Sequence, residues 1–338
     1  MNNRILLIAL TLVLIIASCA EKKPLIEGFN GYAQGTTYSI VYDNNKKLNN
    51  DKVKQEVEKV LSDFDMSLSL YIDSSMVSGV NRNEDVTVDF YFSEVFKMSA
   101  AISEMTEGAF DITVAPLVKA WGFGPDAQKN FTETKRDSLL ELVGMSKVKL
   151  TEGKVIKADP RITLDFNAIA QGYSVDVICQ YFDAKGVKNY LIEIGGEVRG
   201  KGTKAGALWR IGIDKPEDNN MSPGETLQAV IKIGDRALAT SGNYRKFYVE
   251  NGIKYSHTID PHTGYPAKNR LLSATILAEE CATADGIATA CMVMGKEKAI
   301  EFIGNHPEFS AYYVFTDDDG NYVTWISENL KGLISEEN

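Results

Sequence analysis

Asp285 and Thr289 stand four residues apart in the segment 284–294, an Ala-rich helical pattern stopped by Gly295. This spacing puts a carboxylate and a hydroxyl on one helix face. Two hard oxygen donors so placed suit Mg2+ and a phosphate in its shell. The same spacing also fits an acid near a helix start and a solvated threonine. Upstream, His257 is one of three histidines and sits just before a turn-rich loop, Asp260-Pro261-His262-Thr263-Gly264-Tyr265-Pro266. It could act as a general base, donate to a phosphate oxygen, or serve only as a structural residue. Asp260 could orient it. Thr240-Ser241-Gly242 fits a hydroxyl-rich phosphate turn and equally an ordinary tight turn. Asp165, Asp176 and Glu193 could each add a carboxylate, although Asp176 could equally form a surface ion pair. His262 and His306 have no organised sequence neighbours and read as surface residues.

Several chemistries lack their motifs. No G-x-x-x-x-G-K-[ST] loop, G-x-G-x-x-G fingerprint or G-x-S-x-G elbow occurs. In Asp317-Asp318-Asp319-Gly320 the glycine follows the acids too early for an EF-hand. A net charge of −10 argues against nonspecific nucleic-acid binding, which needs a basic surface. It leaves room for a phosphate-bearing small molecule held by glycines, helix starts and a cation.

The elements that must position these residues are mixed. Helical periodicity covers 51–64, 92–107 (stopped by Gly108), 134–143, 167–184 and 296–303. Strand patterns cover 35–42, 147–150, 154–158, 162–166, 189–194, 208–213, 228–233, 272–278, 311–315 and 322–326. Segments 244–250 and 253–259 flank Asn251-Gly252, a hairpin turn signal. Strands and helices do not alternate regularly, so the class is α+β, mixed sheets with packed helices. Trp121 and Phe123, set between glycines, must either plug the core or line a pocket. At 338 residues, the prior is one large domain or two intimate ones.

Residues 1–18 read as a secretory signal, with Arg4 before an apolar run from Ile5 to Ile16. Ile16-Ala17-Ser18-Cys19 resembles a bacterial lipoprotein cleavage box, so Cys19 is the expected lipidation site and 19–30 the tether. A lipid anchor would hold the chain on a membrane, facing the periplasm or another extracytoplasmic side. The remaining Cys179, Cys281 and Cys291 are odd in number, and they read as small core residues.

The ordered set resembles the ApbE family over residues 32–328. It runs through Gly35-Thr36-Thr37-Tyr38, Gly108-Ala109-Phe110-Asp111 with Pro116, Trp121-Gly122-Phe123-Gly124-Pro125, and Asp165 through Gly172-Tyr173 to Asp176. Gly195-Gly196, Thr240 to Arg245, His257 to Pro266, and Ala284-Asp285 to Thr289 continue it. Each stretch alone is unspecific; their order is specific. The resemblance implies an ApbE-like fold over 31–338 with a flavin site between two subregions, and Mg2+-dependent transfer of FMN from FAD to a Thr or Ser hydroxyl of an acceptor protein, releasing AMP. A FAD pyrophosphatase using water, or a non-catalytic FAD-binding lipoprotein, stays open beside it. By resemblance the Mg2+ ligands are Asp285, Thr289 and the Ala168 carbonyl. FAD contacts fall to Gln34, Tyr71, Ala109, Phe110, Asp111, Asp165, Gln171, Thr240, Ser241, His257 and Thr258; His257 and Asp260 are the catalytic candidates. Gln34 replaces the family's usual Met, and Gln171 its more frequent Lys or Glu. The implied acceptor is a subunit of a membrane electron-transfer complex of the NADH:quinone reductase or Rnf type.

Overall fold

The structure, a computed structural model, describes residues 25–123, 131–216, 224–243, 247–250, 253–256 and 258–336, with 247–250 and 253–256 as backbone. Cys19, its preceding signal-like segment and His257 lie outside the described residues.

The chain opens with strands β1 (Ile26–Ala33) and β2 (Thr36–Asp43), then helices α1 (Asn50–Leu68), α2 (Met76–Asn81), α3 (Phe90–Met105), α4 (Ala115–Ala120) and α5 (Glu133–Leu140). A small hairpin, β3 (Val148–Thr151) and β4 (Lys154–Lys157), precedes α6 (Ala170–Ala184). Seven strands follow: β5 (Tyr190–Ile194), β6 (Glu197–Lys201), β7 (Trp209–Asp214), β8 (Leu227–Ile233), β9 (Ala237–Gly242), β10 (Phe247–Glu250) and β11 (Ile253–Ser256). The chain ends with β12 (Leu271–Ala278), α7 (Cys281–Met294), α8 (Lys296–Asn305), β13 (Ser310–Thr316), β14 (Tyr322–Ile326) and β15 (Ile334–Glu336).

Eight strands form one antiparallel sheet in the order β1-β2-β5-β6-β9-β12-β13-β14. A three-stranded sheet, β15-β8-β7, lies apart from it. The period of two sorts each central strand between two cores. In β13, Ala311, Tyr313 and Phe315 join the helix-side core, while Tyr312 and Val314 join the core shared with the small sheet. Both sheet faces are therefore covered, which is why β13 reads as an unbroken apolar run. A separate core sits under α1, where Val53, Val57 and Leu61 meet Ile40, Phe182 and Ile192. The fold is α+β, as the element pattern implies.

Helix α7 is the central piece. Ala, Gly and Cys dominate it, and ten of its residues are buried. Small side chains let α6 and the sheet approach closely. A Cβ on Gly286 would stand 2.8 Å from Ile102 Cδ1.

Three local expectations need correction. Part of the expected tether is structured: 26–30 belongs to β1, which pairs with β2 across the two-residue turn Gln34-Gly35. Both turn residues have positive φ, 53° and 73°, as a type I′ hairpin turn requires. Residues 162–166 form no strand. Their apolar side chains are buried, but the Asn81 side chain satisfies the Leu164 backbone, and Asp165 N–H donates to Ile112 O. A buried apolar run mimics a strand when distant groups complete its hydrogen bonds. Finally, α6 begins at Ala170 rather than 167.

Candidate active site

Two helix starts meet at the centre of the molecule, and each is capped by the other helix. Neither Ile169, before α6, nor Glu280, before α7, offers a side-chain cap. The first N–H groups of each helix would otherwise lack partners. Asp176 on α6 accepts from Cys281 N–H at 3.0 Å and Ala282 N–H at 2.9 Å. In return, Asp285 on α7 accepts from Gly172 N–H at 3.1 Å. The exchange requires close helices, and Gly172 permits it. A Cβ there would lie 2.6 Å from the Cys281 carbonyl oxygen and 2.9 Å from Asp285 Cβ.

The two carboxylates differ in their company. Asp176 is a buried ion-pair partner of Arg199, so its role is structural, at a helix start rather than on the surface. Burial raises its pKa, opposed first by the Arg199 charge and then by the two amides. Asp285 has a single opposing hydrogen bond. Burial pushes its carboxyl up to about 7, with only the Gly172 amide pulling down. A buried carboxylate held by one amide is under-compensated, which is the electrostatic condition a bound cation relieves.

Hard oxygen donors stand around it. Thr289 Oγ1 lies 3.1 Å from Ser241 Oγ on β9. Thr240 on the same strand points elsewhere, to Thr275 at 2.9 Å. Ala168 lies just before the Ile169 cap position of α6, and Gly172 N–H, the usual helical partner of its carbonyl, is drawn to Asp285. Among the described residues, no three His, Cys, Asp or Glu side chains cluster as a metal-binding group. A cation here would thus be held by one carboxylate with hydroxyl and carbonyl oxygens.

A second group of expected residues gathers near the β1-β2 turn and the α6 start. Gln34 Oε1 accepts from Ser174 Oγ on α6 at 3.1 Å. The Gln171 amide lies against Gly195 and Thr36, where a Gly195 Cβ would meet Gln171 Nε2 at 2.5 Å. Tyr71 is 68 % exposed, its ring open for stacking. Partial burial, and then the Asp165 charge, raise its phenol above the ordinary pKa. Asp165 also accepts from Asn167 N–H, which shapes the approach to α6.

The third group is more structural than the sequence suggests. Ala109 and Phe110 side chains are buried in the main core and their N–H groups donate to the Thr106 carbonyl and hydroxyl, so their carbonyls are what is left for a ligand. The Asp111 carboxylate accepts from Thr113 N–H and Oγ1, and from Met145 N–H at 2.9 Å. Trp121 plugs the core: it stacks on Phe131 at 3.7 Å, and its Nε1 donates to Gly264 O at 2.7 Å. Thr258 is buried, with its carbonyl accepting from Ala267 N–H. The Asp260 carboxylate is spent on its own loop, accepting from His262 N–H and Thr263 Oγ1. It organises the loop rather than offering a free carboxylate. Sequence reading placed Gly172 in the helix without its contact role. It missed the His262 contacts, to Asp260 and the Glu107 carbonyl. A glycine inside a strong helical pattern was the available signal for the first; nothing local signalled the second.

Comparison with known proteins places the whole chain. The ApbE family pattern matches residues 34–313. The FAD:protein FMN transferase of Vibrio cholerae is 35% identical over 337 residues, covering 98% of this chain and 99% of that protein. That of Haemophilus influenzae is 34% identical over 97% of this chain and 96% of its own. The solved flavin transferase ApbE from Vibrio cholerae superposes with a TM-score of 0.81 at 34% identity, covering 92% of this chain and 99% of that one. The apo flavinyl transferase ApbE from Pseudomonas stutzeri gives 0.82 at 29% identity, over 93% and 98%. Matched along nearly its whole length in both sequence and fold, the chain belongs to the ApbE family.

Proposed function

We propose that this protein is a FAD:protein FMN transferase, moving FMN from FAD to a Thr or Ser hydroxyl of an acceptor protein and releasing AMP. The observation that carries the reading is the under-compensated Asp285, buried at the α6 start beside the Thr289 and Ser241 hydroxyls. In the reaction the acceptor Oγ–P bond forms at the FMN phosphorus, and the bond from that phosphorus to the bridging oxygen breaks, the oxygen leaving with AMP. The hydroxyl proton passes to a base, for which His257 is the candidate, and AMP leaves.

The residues fit Mg2+. Asp285, Thr289 and the Ala168 carbonyl would hold it, and it would neutralise charge developing on the pyrophosphate oxygens. The chain itself supplies the rest. The α6 N-terminus presents its positive end towards an anion. Ser241 fixes the Thr289 hydroxyl. The exposed Tyr71 ring offers a stacking face, and Gln34 and Gln171 offer amides for the flavin or adenosine parts. Asp260 acts on the site indirectly, through the loop that follows His257.

A lipid-anchored enzyme tethered at Cys19 would face acceptors outside the cytoplasm, such as subunits of membrane electron-transfer complexes. The test mixes the chain from Pro24 with FAD, Mg2+ and a flavin-accepting domain. In-gel flavin fluorescence on the acceptor with released AMP is expected. Free FMN and AMP with an unlabelled acceptor would overturn transfer in favour of hydrolysis, and unchanged bound FAD would leave only a carrier. Asp285→Ala should abolish Mg2+-dependent turnover; undiminished activity would remove that residue from the cation site.

A further inference from the structure

We propose that His262 is a positioning residue for the flavin site, clamping the 258–267 loop onto the end of α3. The inference rests on the flavin reading of the site only through the ligand it names. Three observations carry it. His262 Nε2 lies 2.9 Å from the Glu107 carbonyl, just beyond α3, and Nδ1 lies 3.2 Å from Asp260 Oδ1. The two contacts fall on different ring nitrogens, so the ring is held from both sides. The ring thus ties the loop to a residue 155 positions earlier in sequence.

Gly108 is cut to receive it. Its φ is +83°, and a Cβ there would come 3.3 Å from His262 Nε2. A side chain at 108 would be strained and would crowd the ring. Gly108 also opens the Gly108-Ala109-Phe110-Asp111 stretch, whose backbone is an expected flavin contact.

The loop also needs this hold. Pro261 and His262 wall a cavity of about 580 Å3 with Phe96, Asp111 and Met145. At its other end Trp121 Nε1 holds the Gly264 carbonyl. The loop's base is set by Ala267 N–H donating to Thr258 O and by the Ile259–Pro266 bridge. Two straps, one at Trp121 and one at His262, therefore fix Thr258 relative to Gly108–Asp111. These are two of the segments expected to contact one FAD.

The test compares His262→Phe, which keeps a ring over Gly108 but removes both ring nitrogens, with His262→Gln, which keeps an amide that can hydrogen-bond. His262 has 58% of its side chain exposed, so both variants should fold. Amide hydrogen exchange of Asp260, Gly264 and Ala267 is measured alongside the FAD dissociation constant from flavin fluorescence. In His262→Phe, exchange at these amides should accelerate and the FAD constant should rise about tenfold, the scale of one lost charge-assisted hydrogen bond. His262→Gln should recover most of both. Unchanged exchange in the Phe variant, faster exchange with unchanged FAD affinity, or equal impairment of both variants would overturn the proposal. A wild-type chain that binds FAD but transfers nothing would sink the transferase reading and leave this comparison standing.

Discussion

Gly172→Ala probes the helix contact on which the site is built. The new Cβ would stand 2.6 Å from the Cys281 carbonyl oxygen, 2.8 Å from its carbon and 2.9 Å from Asp285 Cβ. Ordinary contact begins at 3.4 Å, so 3.4 − 2.6 requires the helices to open by about 0.8 Å. The obstruction is backbone and cannot rotate away. Overpacking of this kind costs about 1–3 kcal/mol. The opening also lengthens the Gly172–Asp285 hydrogen bond and shifts the carboxylate against the α6 start and the Ala168 carbonyl before it. A displacement near 1 Å can cost about 100-fold in rate, so a loss of roughly 10–100-fold in kcat/KM is expected. Gly286→Ala on α7 is the control. Its Cβ meets the Ile102 Cδ1 methyl at 2.8 Å, a side-chain end that can swing aside. Urea unfolding and FAD-dependent acceptor labelling measure both variants. Wild-type behaviour of Gly172→Ala, or greater damage from Gly286→Ala, would refute the reasoning.

Four further outcomes are expected. Asp285 has a folded pKa raised to about 7, so between its unfolded value and that point the folded state binds more protons. Metal-free stability should therefore fall as pH rises from about 4 to about 7, less steeply in Asp285→Asn; pH-dependent denaturation with equal slopes for both proteins would contradict this. Asp176→Ala leaves Arg199 without its partner and uncaps α7, so urea unfolding should show a loss of about 3–5 kcal/mol. Thr289→Val removes a hydroxyl donor and leaves Ser241 unpaired on that side. It should raise the Mg2+ concentration needed for half-maximal labelling, whereas Thr289→Ser should not. Trp121→Phe loses the bond to Gly264 O and should destabilise by about 1–3 kcal/mol, read by thermal unfolding.

Residues whose partners are near in sequence were legible. Asp285 and Thr289 share a helix face because the 3.6-residue period says so, and the structure keeps them on α7. The Gln34-Gly35 position at a strand end proved a tight turn once β1 was seen, but residues 26–30 carry weak alternation and read as tether. Asp176 was ambiguous because its amide partners lie 105 and 106 residues away. The 162–166 segment misled for the same reason: its backbone is completed by Asn81, 83 residues earlier. Asp260 reads in sequence as a residue that could orient His257; an Asp heading a Pro-His-Thr-Gly turn also satisfies local N–H and hydroxyl donors, and its carboxylate does so here.

The mutual capping of α6 and α7 has a consequence for biosynthesis. The two partners of the Gly172–Asp285 bond lie 113 residues apart, so α6 is made long before the carboxylate that completes its start. A growing chain holds α1, α6 and most of the large sheet without any ligand site. On the proposed reading, FAD and a cation would be captured only after α7 has docked. Loading is thereby restricted to finished molecules, and C-terminal truncations that remove α7 should yield chains that bind no flavin at all.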